Sequence, residues 1–399
     1  MAVVGSPAAF LGGARRRYGD VFTLRLIGTP PFVVLADPDA IRAVFTGPAD
    51  VMLAGQANAP LRPLVGPRSV LLLDGDEHLA ERRRLLPPFH GARMKGYERV
   101  MERATLREME GWPLRRPFAL LPSMQEITLE VIMRAVLGVA AGERSEELAH
   151  RLRRVLAPGG GRVRTILSLF TEDGPLERRF AEQVRAVDEL VFEEIAERRD
   201  DPGDDVLSML IEAGLTDAEL RDEVVTLLSA GHETTATALA WTFERLVRHP
   251  EAMRRCREDE AYLDAAIKET LRVRPVIASI GRVLGAPYRV AGYDLPAGTR
   301  LIPSIVLTHG NEAVFPAHRE FEPERFLGGD TPSTYAWLPF GGGLRRCLGA
   351  SFALFEMRVV VRTILECVTL APDSPDDEDV NRSNIVLVPA RGGRVVRTA

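Results

Sequence analysis

The stretch LPFGGGLRRCLGASFALFEM, Leu338–Met357, is the most informative part of the chain. Three consecutive glycines, Gly341 to Gly343, lead to Cys347, and a run rich in Ala, Phe and Glu opens behind it. That run reads as a helix at about 350–366, which sets Cys347 just ahead of a helix N-terminus. The positive end of a helix dipole and unpaired backbone N–H groups both favour a thiolate. The glycines allow left-handed dihedrals and close backbone approach. Arg345 brings a guanidinium near the sulfur, and Phe340 can shield it from water. Two readings stand for the residues alone: a small buried cysteine in a loop, or an activated thiolate. A zinc site lacks a second Cys or His at ligand spacing. A nucleophilic cysteine lacks a local His base.

The remaining composition narrows the setting. The chain has 399 residues, 46% hydrophobic and 27% charged, which excludes long disorder and collagen-like repeats. Net charge is −5 and pI about 5.9, so the protein is not built to coat nucleic acid. Only Lys95 and Lys268 are lysines, which leaves Arg for the other 49 of 51 basic residues. Three cysteines, at 256, 347 and 367, make no disulfide framework and suit a reducing cytoplasm. No stretch reaches the ~20 apolar residues of a membrane span. The apolar opening MAVVGSPAAFLGG precedes its basic cluster, Arg15 to Arg17, the reverse of a signal peptide. A cytoplasmic protein without a membrane anchor is expected.

Along the chain, VFTLRLIG (21–28) and PFVVLAD (31–37) read as strands around a Gly-Thr-Pro turn. Helical patterns follow at about 39–47, 78–86, 92–112, 124–139, 145–156, 176–199, 216–247, 251–257 and 259–272. A Gly-rich stretch at 158–175 interrupts them. From Pro275 to about 310 the pattern turns to short strands, and NIVLVPARGGRVVRT reads as a final hairpin turning at Gly392-Gly393. The expected fold class is mainly α with minor β.

One helix stands out. Residues 219–247 would span roughly 40 Å at 1.5 Å per residue. Its middle holds Ala230-Gly231, then Glu233-Thr234-Thr235. Gly and consecutive Thr weaken a helix interior, and a Thr hydroxyl can bond the i−4 carbonyl. A local distortion there would open a groove, where a carboxylate beside a hydroxyl suits a proton relay. An ordinary buried helix carrying a Gly contact and a Thr pair is the alternative. Other pairs stand at helical spacing: His78 with Arg82 (i,i+4), and Glu269 with Arg272 (i,i+3). Each also fits a solvated surface.

The pattern F-x-x-G-x-R-x-C-x-G is met at every fixed position, by Phe340, Gly343, Arg345, Cys347 and Gly349. This resembles the heme-binding loop of the cytochrome P450 family. Further segments resemble that family in its order: YGDVFTL, H-x-x-x-R at His78 and Arg82, A-G-x-[DE]-T-T from Ala230-Gly231, E-x-x-R, and PERF with Arg325. The resemblance implies one cytochrome P450 domain over 1–399. Its β-rich parts would lie at about 20–60, 275–310 and 380–399. A large helical domain would join a small β-rich one, with heme b between a distal long helix and a proximal Cys loop.

The resemblance also implies roles. Cys347 would be the axial ligand of the heme iron, whose one thiolate pushes electron density toward O–O cleavage. Arg345, His78, Arg82 and, more loosely, Arg282 would meet the heme propionates. Glu233 and Thr234 would be the acid–alcohol pair that delivers protons to dioxygen, and His232 would face away. Glu269, Arg272 and Arg325 would lock together structurally. The implied activity is insertion of one oxygen atom of O2 into a C–H bond of a lipophilic molecule such as a steroid, terpenoid or fatty acid. The chain has no G-x-G-x-x-G after a strand, so electrons would come from separate proteins. A ferredoxin with its reductase, or a flavodoxin-type donor, fits that need. Arg83, Arg84, Arg93 and Arg346 are candidates for a docking face, against the reading that they are merely solvated.

Expected pocket walls are Leu53 to Leu73, the stretch 158–172, Leu227, Ala230, Val276 to Ile280 and Ile385-Val386, with Arg162 and Arg164 near the entrance. A peroxygenase, a heme isomerase or dehydratase, and a non-enzymatic heme carrier are the rival readings. The acid–alcohol pair argues for use of dioxygen.

Overall fold

The computed structural model describes residues 7–25, 30–89, 93–138, 143–156, 174–329 and 332–399. Its centre is the helix Asp217–Leu246, 30 residues long, opened by a capping box between Thr216 and Glu219. This long helix packs along Leu120–Leu137, which is apolar around most of its circumference and correspondingly buried. The helix Ala350–Cys367 behind Cys347 packs on Arg93–Glu110, on Glu260–Val273 and on the long helix. Pro175–Asp200 packs along Glu143–Leu156 and against the long helix.

The β structure is peripheral. Strands β1 (Val21–Leu24), β2 (Phe32–Leu35), β3 (Met52–Leu53), β5 (Arg282–Leu284) and β8 (Arg300–Pro303) form a mixed sheet in the order β1-β2-β8-β5-β3. β2 and β8 run parallel, with Val33 opposite Leu301. Val33, Leu35, Leu284 and Leu301 bury one core beneath this sheet. β6 (Tyr288–Val290) and β7 (Tyr293–Leu295) form a hairpin whose turn residues Ala291 and Gly292 have φ of 50° and 84°.

Three expectations need correction. The expected final hairpin around Gly392-Gly393 does not form. β11 (Val386–Pro389) pairs instead with β10 (Val380–Ser383), turning at Asn384 with φ 50°. β12 (Arg394–Arg397) pairs with β4 (Pro117–Ala119) and β9 (Leu370–Pro372). Distant strands won because Val395 needs a buried face, and pairing beside β4 and β9 leaves it fully buried. The opening segment, read without a helix, is helical at Pro7–Tyr18. Leu11 and Ala14 pack onto Phe22 and Val34, and Arg15 pairs with Asp20, so tertiary contacts override two glycines. A helix at Val206–Glu212, capped by Asp205, was also not expected from the pattern.

Candidate functional site

The glycine loop is built by close approach. Gly343 has φ +64°, and a Cβ there would lie 2.0 Å from the Phe45 carbonyl oxygen. No other residue fits that position without moving the backbone. Gly341 also has positive φ, at +68°. The loop closes where the Cys347 N–H donates to the Phe340 carbonyl at 2.9 Å. Phe340 stacks edge-on against Trp337, with ring centroids 6.2 Å apart. Gly349 ends the loop at the helix N-terminus, and a Cβ on it would meet open space.

Cys347 is exposed by area, yet protein surrounds it closely enough that burial pushes its thiol above the ordinary value. The Gly349 amide, Arg82 and Arg346 pull in the opposite direction. The thiolate-favouring features read from the sequence are therefore present but outweighed. A bound metal ion would supply what is missing, since coordination deprotonates a thiol outright. Cys256 is a buried, inert thiol pushed up to about 12. Among the described residues no cluster of His, Cys, Asp and Glu forms a conventional metal site.

Beside the loop the structure gathers His78, Arg82, Arg282 and Arg345. His78 is buried, and burial together with Arg345, Arg82 and Arg282 lowers it to about 3. Arg282 is 4% exposed and lowered to about 10, first by burial and then by Arg345. Among the described residues its guanidinium reaches only the neighbouring Gly281 carbonyl and the face of Phe45. Arg345 donates to the Val70 carbonyl at 3.1 Å, to the Leu73 carbonyl, and to Asp74 at 2.6 Å. Asp74 is the one carboxylate that raises Arg282 or Arg345. It is shared further, taking the Gly55 and Gln56 N–H groups. A buried guanidinium without a counter-charge is costly. This cluster of cations around one committed carboxylate therefore fits an anionic group with two carboxylates, as heme has.

On the long helix the exposure pattern changes at one place. Between Leu220 and Leu246 every residue is buried except Leu227, Ser229, Ala230, Gly231, Glu233 and Thr234. Ala230 is the exposed one among them, and the other five are half-buried. The helix continues without interruption through this stretch, so the expected local distortion is not found. The Thr234 hydroxyl donates to the Ala230 carbonyl at 2.6 Å, the i−4 bond anticipated from the sequence. Gly231 is tight for another reason: a Cβ would lie 2.9 Å from Ile132 Cδ1. Burial raises Glu233 to about 7, and its Oε1 accepts a hydrogen bond from Ser383 at 3.2 Å. His232 turns away and meets Thr128 Oγ1 at 3.2 Å.

A cavity of about 2540 Å³ borders this open stretch and extends past it to the protein surface. Its walls include Leu61, Leu64, Leu71, Ala230, Ala278 and Val386, from segments expected to line a pocket. Leu227 and the rest of 276–280 do not line it, and residues 158–172, with Arg162 and Arg164, lie outside the described residues.

Glu269, Arg272 and Arg325 come together as expected. Arg272 grips both Glu269 oxygens at 2.7 Å and reaches the carbonyls of His309, His318 and Glu320. Arg325 stands 3.4 Å from Glu269. Glu269 and Arg272 are 0% and 1% exposed, so the surface-pair alternative fails. Of the four arginines suggested for docking, Arg83 and Arg346 are exposed, Arg84 pairs with Glu81 at 3.1 Å, and the side chain of Arg93 lies outside those described.

Sequence reasoning missed several supports. The loop before His78 is fastened to the long helix by Asp222 to the Arg68 N–H, Ser69 to Thr226, and Glu223 to the Val70 N–H. Gly66, with φ +79°, is required because a Cβ would lie 1.9 Å from Asp222 Oδ1. Asp74 stands just ahead of the H-x-x-x-R helix and was open to detection there. Nothing local marked Ser383.

The fold and site define a helical protein with one cysteine presented on a glycine loop beside a cationic cleft. The cytochrome P450 family model matches residues 5–396. Cytochrome P450 135B1 of Mycobacterium tuberculosis strain H37Rv is 41% identical over 407 residues, covering 97% of this chain and 86% of that protein. Cytochrome P450 138 of the same strain is 39% identical, covering 99% and 93%. Among solved structures, the cytochrome P450DA heme domain superposes with a TM-score of 0.86 at 22% identity, covering 99% and 94%. CYP175A1 from Thermus thermophillus gives 0.83 at 28% identity, covering 100% and 96%. The chain belongs to the cytochrome P450 family, whose members are heme-thiolate oxidoreductases acting in general as monooxygenases. No helix among the described residues is long and apolar enough to cross a membrane.

Proposed function

We propose that this protein binds heme b through Cys347 and hydroxylates a lipophilic small molecule with dioxygen, taking electrons from a separate ferredoxin or flavodoxin-type donor in the cytoplasm. The observation that carries the reading is the cluster of Arg82, Arg282 and Arg345 around the single carboxylate Asp74, with neutral His78, beside the Cys347 loop. Bound there, heme would supply dioxygen activation, the chemistry that no side chain offers. Cys347 would ligate the iron, held in place by its bond to the Phe340 carbonyl. Arg82, Arg282 and Arg345 would hold the two propionates, with neutral His78 donating a hydrogen bond.

The chain's own chemistry is proton control. A carboxyl raised to about 7 gives up and regains a proton readily at neutral pH, which suits Glu233 to shuttle protons toward the cavity. The Thr234 hydroxyl spends its proton on the Ala230 carbonyl, so its oxygen is left to accept and orient a donor above the open helix stretch. The walls Leu61, Leu64, Leu71 and Val386 exclude water and receive an apolar substrate.

Optical titration of the heme-loaded ferric protein with steroids, terpenes and fatty acids tests the reading. It predicts a low- to high-spin shift of the Soret band with at least one class, and product only when reductant and donor protein are supplied. Product formed without any donor would contradict the monooxygenase assignment.

A further inference from the structure

The chain enters the Cys347 loop at Trp337-Leu338, and both residues hang from one helix. The Trp337 indole N–H donates to the Lys268 carbonyl at 3.2 Å. The Leu338 backbone N–H donates to Nε2 of His309 at 2.8 Å, and His309 Nδ1 meets the Arg272 carbonyl at 3.2 Å. Lys268 and Arg272 both lie in the closing turns of Glu260–Val273. The last four carbonyls of a helix have no partner within it, so the Arg272 carbonyl is free to take the ring.

His309 is 2% exposed and Leu338 0%. A buried backbone N–H must find a partner, and His309 is the one that the Leu338 N–H has. The two bonds fix the tautomer, because a carbonyl only accepts and an N–H only donates. Nδ1 carries the proton and Nε2 offers its lone pair. Burial, then Arg272, keeps the ring neutral by lowering it to about 3. Arg272 returns the contact, its guanidinium donating to the His309 carbonyl at 3.2 Å.

From Leu338 the restraint passes toward the sulfur. The Leu338 carbonyl accepts the Gly341 N–H at 3.0 Å, closing the turn Leu338-Pro339-Phe340-Gly341. Pro339 is second in that turn, where its fixed φ is favoured. Phe340 is third, and its carbonyl accepts the Cys347 N–H at 2.9 Å. The His309 ring therefore heads a run of hydrogen bonds that ends on the backbone of Cys347.

We propose that His309 is a positioning residue for the Cys347 sulfur, with Nε2 as the atom that fixes the entry of the loop. The proposal rests on the reading of Cys347 as the iron ligand and adds the residue that aims it.

The test compares two amide variants of the heme-loaded protein. An Asn amide falls where Nδ1 stands, and a Gln amide reaches the place of Nε2. His309→Gln therefore keeps an acceptor for the Leu338 N–H, whereas His309→Asn leaves that N–H buried and unpaired. The Soret band of the ferrous carbonyl complex distinguishes a thiolate ligand from a neutral one. It is followed over time in mild guanidinium, where far-UV circular dichroism keeps its native value. The thiolate band should be lost about 10-fold faster in His309→Asn than in the parent, the scale of one buried hydrogen bond. In His309→Gln the rate should stay within about 2-fold of the parent. An Asn variant that never shows the thiolate band, beside a Gln variant that keeps it, is the same result carried further. A histidine that merely stabilised the fold would give the two variants the same rate. Equal rates in the two, or a Gln variant that loses the band as fast as Asn or fails to hold heme, overturn the proposal. A parent protein that binds heme and never shows the thiolate band would overturn the Cys347 reading itself, so the two failures are distinguishable.

Discussion

Ser383 donates a 3.2 Å hydrogen bond to Glu233, joining residues 150 apart in sequence. Ser383 ends β10, and the same hairpin contributes Ile385 and Val386 to the cavity wall. The acid of the proposed proton route is therefore held by an element that also lines the cavity. Ser383→Ala removes the one side-chain bond that lowers Glu233, so its carboxyl should rise further above about 7. The alkaline limb of turnover should move to higher pH, and peroxide released per electron should increase. An unchanged pH profile would refute the positioning role, which a merely structural serine would leave untouched.

Thr234→Ala removes the hydroxyl beside Glu233. Product formed per reductant consumed should fall by roughly 10-fold or more, with the balance leaving as peroxide. Substrate affinity should change little. Full coupling in this variant would contradict the acid–alcohol assignment.

Glu269 is the buried counter-charge of Arg272. Removing it in Glu269→Ala leaves a fully buried guanidinium unpaired, a loss of about 3–5 kcal/mol. Arg319→Gln, on a nearby exposed residue, should change stability by no more than about 0.5 kcal/mol. Denaturant midpoints of the two variants check this, and equal midpoints would contradict it.

His309 donates from Nδ1 to the Arg272 carbonyl at 3.2 Å and accepts the Leu338 N–H on Nε2 at 2.8 Å. Both bonds hold together only in the neutral ring. Burial, reinforced by Arg272, lowers it from 6.5 to about 3. The unfolded chain therefore binds a proton that the folded one refuses, and stability is lost as pH falls below 6.5. His309→Gln should flatten that decline by about one proton, about 1.4 kcal/mol per pH unit. Parallel stability curves for parent and variant would show that His309 plays no part.

Electron transfer is predicted to depend on charge near the Cys347 loop. Arg346, two residues from Leu344 (an apolar side chain 51% exposed), and Arg84, on the helix that also carries Arg82, are both exposed. Charge reversal at both, Arg84→Glu with Arg346→Glu, should slow reduction by an acidic ferredoxin roughly 10-fold at low salt and abolish its salt dependence. Unchanged kinetics would remove this face from consideration.

The Cys347 loop, the long helix and the Glu269–Arg272 pair were legible because each is a local pattern whose partners lie within a few residues or one helical turn. The family resemblance joined them. Three things were not legible. β11 and β12 flank Gly392-Gly393 and mimic a hairpin, but each found a partner elsewhere, and cross-strand partners leave no local mark. The helix at Pro7–Tyr18 contains Gly12, Gly13 and three arginines, and forms because Leu11 meets a core assembled from distant strands. Ser383, Asp74 and Glu223 act across 150, 271 and 153 residues respectively, so only the folded chain brings them to their partners.

The most direct test of the account is iron K-edge X-ray absorption on the purified heme-loaded protein and on Cys347→Ser, with Cys256→Ser and Cys367→Ser as controls. The account predicts one sulfur in the iron's first shell for the parent protein and both controls, and none for Cys347→Ser. A first shell of nitrogen and oxygen alone in the parent, or a sulfur that survives in Cys347→Ser, would contradict it.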